Sequence, residues 1–359
     1  MNLAKTLKRD HTSGSNSFSR IVALGFGGAG IDLLTHLMEV DLKNVHCVAV
    51  DADPYHLHIA RAHSKFPILP ENAPRGTSES GEDSECHVSE EVSHLLGDAD
   101  IVFVLAGMGG VTGSAVAPIV AETARQAGAL TIGLVTQPFH FERARFNTAI
   151  DGMRKMLNAC DTVILIDNHM LEPSTLTLPF RFDKDTPSQT CCSIIESIAH
   201  TFANSGLSNA DLGEFRMMLR RGGLAKAGVG HSYSNLGTEE ATLRALRNAM
   251  ALGGLTQANG IFLNIVGCNR VEHRHLVSTL DIVSRKIDPN AQLLYGHRID
   301  PAMQGVTRVT LLATGMVFPY TWGGYRNIPL GIYDLEPDAL AEKKLSLELE
   351  LHQLESYAD

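Results

Sequence analysis

The 359-residue chain has no CxxC pair among its six cysteines, no Gly-Lys-Ser/Thr closing a phosphate loop, and no basic excess. Without cysteine pairs, neither a disulfide framework nor a zinc site is signalled, although Cys191 and Cys192 are adjacent. That usage fits a reducing, cytoplasmic compartment. A net charge of −10 argues against nucleic acid as the main partner. With 44% apolar and 19% charged residues, disordered, collagen-like and coiled-coil classes are excluded. A long unbroken apolar run is also missing. Residues 101–121 carry no charge, but Gly107, Gly109, Gly110, Gly113 and Pro118 interrupt them, so they read as strand, glycine loop and helix rather than a membrane span. The polar leader, residues 1–19, lacks the apolar core of a secretory signal.

What is present is an alternation of short aliphatic strands and helical patterns. Residues 20–25 (RIVALG), 45–50, 100–106, 130–135 and 162–166 read as strands, and 29–39 as a helix. Such alternation predicts a parallel sheet covered on both faces. Residues 70–85 read as a polar surface loop, and 188–203 as one long helix. Beyond Gly206 the texture changes: strand-like runs at 261–266, 292–295 and 308–313 alternate with helical patterns at 239–251 and 272–287. The expected organisation is a leader (1–19), a nucleotide-binding domain (20–187), a connecting helix (188–205), a smaller α+β domain (206–330) and an acidic tail (331–359). In that tail Leu345, Leu347, Leu349 and Leu351 alternate as in a strand while the composition favours helix, and the two readings stay open.

Two glycine loops carry the chemistry. GFGGAG (residues 25–30) follows a strand and opens a helix, and Asp51 ends the next strand; this is the dinucleotide-binding fingerprint. AGMGGVTGSA (106–115) also follows an apolar strand and opens a helix, so its backbone N–H groups and the hydroxyls of Thr112 and Ser114 form a second phosphate cradle. A hydride-transfer enzyme needs one cradle; two on neighbouring strands suit a triphosphate held between them. The bland alternative is that the glycines only permit tight strand–helix turns.

The second loop with its following helix, AGMGGVTGSAVAPIVAE, resembles the signature segment of the FtsZ/tubulin superfamily, most closely its FtsZ branch. GFGGAG resembles the family's first phosphate loop, VTQPFHFE (135–142) and DTVILIDN (161–168) its next segments, GLSNADLGEF (206–215) its synergy loop, and DPAM and ATGM (300–303, 313–316) the end of its second domain. The resemblance spans about residues 20–320 in the family's order. It implies a Rossmann-like α/β GTPase domain joined by a long central helix to a smaller α+β domain, and a GTP/GDP-binding, Mg2+-assisted GTPase that polymerises head to tail. The implied partners are further copies of itself and other FtsZ-like proteins, with no nucleic acid and no direct membrane contact.

Carried over by residue, the phosphate contacts fall on Gly27, Gly28, Ala29 and Gly30, and on Gly109, Gly110, Thr112, Gly113 and Ser114. Glu142 is expected at the ribose, Arg145 near the phosphates and Asn168 by the base or sugar; Asn209, Asp211 and Glu214 match the synergy-loop pattern that acts on a neighbour's nucleotide. Ile31 and Asp32 stand where the family often has Gly or Asn and then Asn, so a base contact is altered or lost, and the family's guanine-reading aspartate aligns near Gln189, which weakens purine choice; Val111 and Ala115 replace signature glycines, and residues 70–85 lack the Ala-Gly-Ala-Asn contact to the γ-phosphate. The chain reads as a divergent member. A nucleotide-binding scaffold without turnover is the first rival, and a dinucleotide oxidoreductase resting on GFGGAG and Asp51 the second.

Sixteen histidines include the pairs His56/His58 and His273/His275, read as solvated helix faces rather than metal ligands because no further ligand completes a site. Asp151, Arg154 and Lys155 read as helix-surface charges, and Glu239/Glu240 as a helix start. Ser114 lacks a nucleophile-elbow context.

Overall fold

A computed structural model describes residues 20–40, 42, 44–68, 90–138, 142–166, 187–203, 212–233, 237–250, 254–268, 271–303, 305–316, 321–322 and 325–326. The leader, the 70–85 loop, Asn168, Asn209, Asp211 and the acidic tail with its alternating leucines lie outside the described residues.

The first half is built as its alternation predicts. Strands β1 (Ile21–Phe26), β2 (Val45–Asp51), β3 (Ser64–Pro67), β4 (Ile101–Gly107), β5 (Leu130–Thr136) and β6 (Thr162–Ile166) are interleaved with helices. These are α1 (Gly27–Val40), α2 (Pro54–Ile59), α3 (Glu90–Gly97), α4 (Ala117–Gln126) and α5 (Phe146–Ala159). Every residue of β1 and β5 is buried, as strands covered on both faces require. Neighbouring strands pair in parallel in the order β3-β2-β1-β4-β5-β6. The chain therefore winds outward to one side from β1 and to the other from β4, so the order reverses between those two strands.

The second half comprises α6 (Pro187–Ala203), α7 (Leu212–Arg220), β7 (Gly223–Ser232), α8 (Gly237–Met250), β8 (Gly260–Gly267), α9 (His273–Ser284), β9 (Gln292–Ile299) and β10 (Thr307–Met316). Its strands do not form a separate sheet: β7 pairs in parallel with β6, and β10, antiparallel to both β7 and β8, completes one ten-stranded sheet. Strand β7 is absent from the sequence reading because its GLAKAGVGHS is poor in β-branched residues. Packing explains that composition. A Cβ at Gly228 or Gly230 would run into the α8 backbone at Ala245 and Ala241, so α8 lies directly on this strand.

Two apolar layers cover the sheet. One gathers Val22, Leu24, Val104, Val120, Met153 and Ala245 beneath α4, α5 and α8; the other gathers Ile21, Phe103, Leu34, Ile195 and Phe215 beneath α1, α6 and α7. Helix α6 belongs to both halves, since it packs on α1 and also on β10. Its Glu196 accepts from Arg298 of β9 (2.6 Å) and Arg308 of β10 (2.7 Å), and Ser197 donates to Thr310 at 3.0 Å. Phe215 of α7 stacks between Phe202 of α6 and Phe262 of β8, with ring centroids 5.4 and 4.2 Å away. No helix of the described residues is long and apolar enough to cross a membrane.

Candidate functional site

Both glycine loops leave the C-terminal edge of the sheet, from β1 and β4, on either side of the point where strand order reverses. That crevice is where open α/β sheets bind ligands. The first loop turns into α1 at Gly27, whose φ of +67° favours glycine. Gly30 lets α1 approach β4: a Cβ there would fall against the Leu105 carbonyl. With no acid in its first turn, the α1 N-terminus presents free N–H groups and a positive dipole end to the crevice.

The second loop turns at Gly109, φ +95°, and enters a π-helical turn (Thr112–Val116) before α4. Wider π turns recur at functional positions. The buried Ser114 hydroxyl accepts from the Gly109 N–H at 2.8 Å, closing the loop on itself. Thr112 donates to Asp51 at 3.1 Å and so joins this loop to the end of β2. A Cβ at Gly107 would come within 2.6 Å of the Ala29 Cβ, and one at Gly27 within 3.4 Å of the Thr112 Cβ, so the two loops touch. Gly110 differs: its Cβ would meet only the Gly107 carbonyl, at 3.9 Å, and the residue is exposed. The cradle opens to solvent there.

The remaining expected residues divide into two groups. Arg145 donates to Glu142 at 2.8 Å, and a Cβ on Gly109 would meet the Arg145 Cβ at 2.9 Å, which puts this pair against the second loop. Asp32 is exposed on α1, where its carbonyl accepts from His36 at 2.8 Å, and Gln189 is exposed in the first turns of α6. Glu214 lies elsewhere. It is exposed in the first turn of α7 and accepts from Gln292, the first residue of β9, at 3.0 Å. Because β5, β6, β7, β8 and β9 run the same way, the start of β9 is on the edge opposite the glycine loops. The far end of α7 confirms that edge: Arg220 donates to the carbonyl of Gly128, just before β5, at 2.9 Å. Seven strand residues at about 3.3 Å each put roughly 20 Å between the two edges.

Two histidine readings need correction. His56 is half-buried, not a solvated face: its Nδ1 lies 2.6 Å from Asp51, which is itself buried. His275 pairs with Glu239 of α8 at 2.7 Å, because α9 packs on α8. Asp51, the acid of the dinucleotide fingerprint, is thus already engaged by Thr112 and His56 and by the N–H of Ala52 at 2.7 Å. Among the described residues no group of three or more His, Cys, Asp or Glu side chains could hold a metal. Burial pushes the thiols of Cys47 and Cys192 up to about 12, which leaves them protonated and unreactive at neutral pH.

Residues 20–174 match the Tubulin/FtsZ family GTPase domain, and residues 223–317 the FtsZ family C-terminal domain. Cell division protein FtsZ 2 of Methanocaldococcus jannaschii is 32% identical over 309 residues, which span 84% of this chain and 81% of that protein. Cell division protein FtsZ 1 of Pyrococcus horikoshii is also 32% identical, over 84% of this chain and 82% of its own length. An empty FtsZ dimer from M. jannaschii superposes with a TM-score of 0.70 at 28% identity, covering 83% of this chain and 88% of that one. A GTPγS-bound CetZ2 protofilament from Haloferax volcanii shares the fold, with a TM-score of 0.63 at 20% identity over 82% of this chain and 93% of that one.

Proposed function

The chain belongs to the FtsZ family, and from that premise we propose that it is a cytoplasmic, cytoskeletal GTP-binding protein that assembles head to tail and hydrolyses GTP at subunit junctions. The observation that carries the reading is the pair of touching glycine loops flanking the strand-order reversal between β1 and β4. N–H groups of the α1 N-terminus and of Gly110–Gly113 suit the phosphates; the residues are glycines where a Cβ would meet backbone or fill the cradle. Arg145 would add positive charge beside them and Glu142 would accept from the ribose. Mg2+ carried in with the nucleotide would neutralise phosphate charge. It keeps water and phosphate oxygens as ligands and needs few from the protein.

Hydrolysis is assigned to two subunits. Asp211 and Glu214 would orient and deprotonate water on a neighbour's nucleotide, with Asn209 beside them. The support is topological: Glu214 sits at the sheet edge opposite the cradle, so it reaches phosphate only when a second copy stacks on the first. The oxidoreductase rival loses its main residue, since the Asp51 carboxylate is already held by Thr112 and His56. Titration calorimetry with GTP, GDP and NADH tests the reading. Micromolar binding of the guanine nucleotides with no NADH binding is expected, and the reverse would refute it.

A further inference from the structure

His56 borders the crevice. It stands on α2, outside both glycine loops, yet its ring lies over the first one: a Cβ on Gly28 would meet ring atoms Cε1 and Nε2 at 3.3 and 3.4 Å. An ionised Asp51 can only accept, so the 2.6 Å contact makes Nδ1 the donor and fixes the ring. Nε2 makes no hydrogen bond among the described residues. Asp51 in turn accepts from Thr112 of the second loop. One buried carboxylate therefore holds the α2 histidine and the second loop together above the α1 N-terminus.

We propose that His56 is a nucleotide-binding residue, its Nε2–H donating to a terminal phosphate oxygen seated over Gly28. The proposal rests on the nucleotide site argued above and adds to it a cation from a third segment. With Nδ1 donating to Asp51, an Nε2–H makes the ring a cation set toward the phosphate. The groups facing His56 suit a cation. Asp51 at the end of β2 and Asp53 at 4.0 Å, the N-cap of α2, are both acidic. The first turn of α1 has no acid, the second loop offers Thr112, and Tyr55 presents a ring 6.3 Å away.

The test measures GTPγS affinity of the full chain for wild type, His56→Gln and His56→Ala, with melting temperature as the folding check. Loss of one charge-assisted hydrogen bond predicts about 10–100-fold weaker binding by both variants. Glutamine keeps a polar side chain of similar reach, so the comparison survives if the alanine variant folds poorly. Variants that bind as tightly as wild type overturn the assignment, as do variants that bind more tightly, which would make the ring a plug. A folded wild type that binds no GTPγS defeats the nucleotide reading itself, a different and recognisable failure.

Discussion

Glycines in the two loops serve different ends, and substitution separates them. At Gly113 a Cβ would fall on the Gly107 carbonyl, so Gly113→Ala should deform the loop and lower the melting temperature. At Gly110 the same atom enters nearly open space, so Gly110→Asp should fold normally and fail through charge alone. A carboxylate about 4 Å from a phosphate oxygen at an effective dielectric of about 20 costs on the order of 4 kcal/mol. Affinity should then fall about a thousandfold, read by calorimetry, at an unchanged melting temperature.

Lys226 gives a second test at this scale. It is buried in β7, its Nζ reaches the Gly254 carbonyl at 3.4 Å, and burial lowers its pKa to about 8 from 10.5. Between those values the unfolded chain binds more protons than the folded one, so this residue makes stability rise with pH through that window. The gain amounts to about 3 kcal/mol when complete. Lys226→Met should abolish that rise in denaturant unfolding measured from pH 7 to pH 10.5, and wild type and variant with parallel pH profiles would contradict it.

Among elements, α6 is the joint between the halves of the molecule, and Glu196 is its polar anchor. Its carboxylate bridges two guanidinium groups, Arg298 (which also pairs with Asp300 at 3.4 Å) and Arg308, in a largely buried setting, and burial together with Arg298 lowers the pKa of the adjacent His200. Removing one member of such a cluster leaves charges unpaired, which typically costs about 3–5 kcal/mol. Glu196→Ala should therefore destabilise the fold by that order in denaturant unfolding, and the Arg308→Met change added to it should recover part of the loss.

Elements also differ in how well the sequence reveals them. β1 and β4 are legible because aliphatic runs end at glycines that must turn, and both loops are legible because their chemistry is local. β7 is not, because its small residues answer to α8, which presses on it from 11 or more positions further along the chain. Nor could spacing reveal that Thr112 bonds Asp51 across 61 positions, or that His56 folds back over Gly28. These contacts exist only once parallel pairing has brought β1, β2 and β4 side by side. The joining of the two halves into one sheet through β6 and β7 is likewise a long-range result, carried by a register of four residue pairs.

At the scale of the whole molecule, the proposed function makes the separation of cradle and acid decide the kinetics. The glycine loops open at one edge of a sheet whose strands run almost all one way, and Glu214 is held by Gln292 at the other. One subunit cannot join them, but copies stacked in the same orientation would bring one edge against the other at every junction. Turnover per molecule should then climb steeply with protein concentration, and a constant specific rate down to dilute monomer would contradict the arrangement. Glu214→Ala should keep monomer GTP affinity near wild type and cut turnover by about 10²–10⁴, the usual share of general-base catalysis. If Glu214 only favours the α7 N-terminus, its loss costs about 0.3–1 kcal/mol of stability and leaves turnover unchanged. Mixing Glu214→Ala with Gly110→Asp is the sharper measurement. In mixed filaments one class of junction pairs an intact cradle from the Glu214→Ala subunit with an intact acid from the Gly110→Asp subunit, so activity absent from either protein alone should return. A wild type that binds GTP and forms filaments with no turnover at any concentration would instead leave a nucleotide-dependent scaffold, in which the same two edges meet to assemble and not to react.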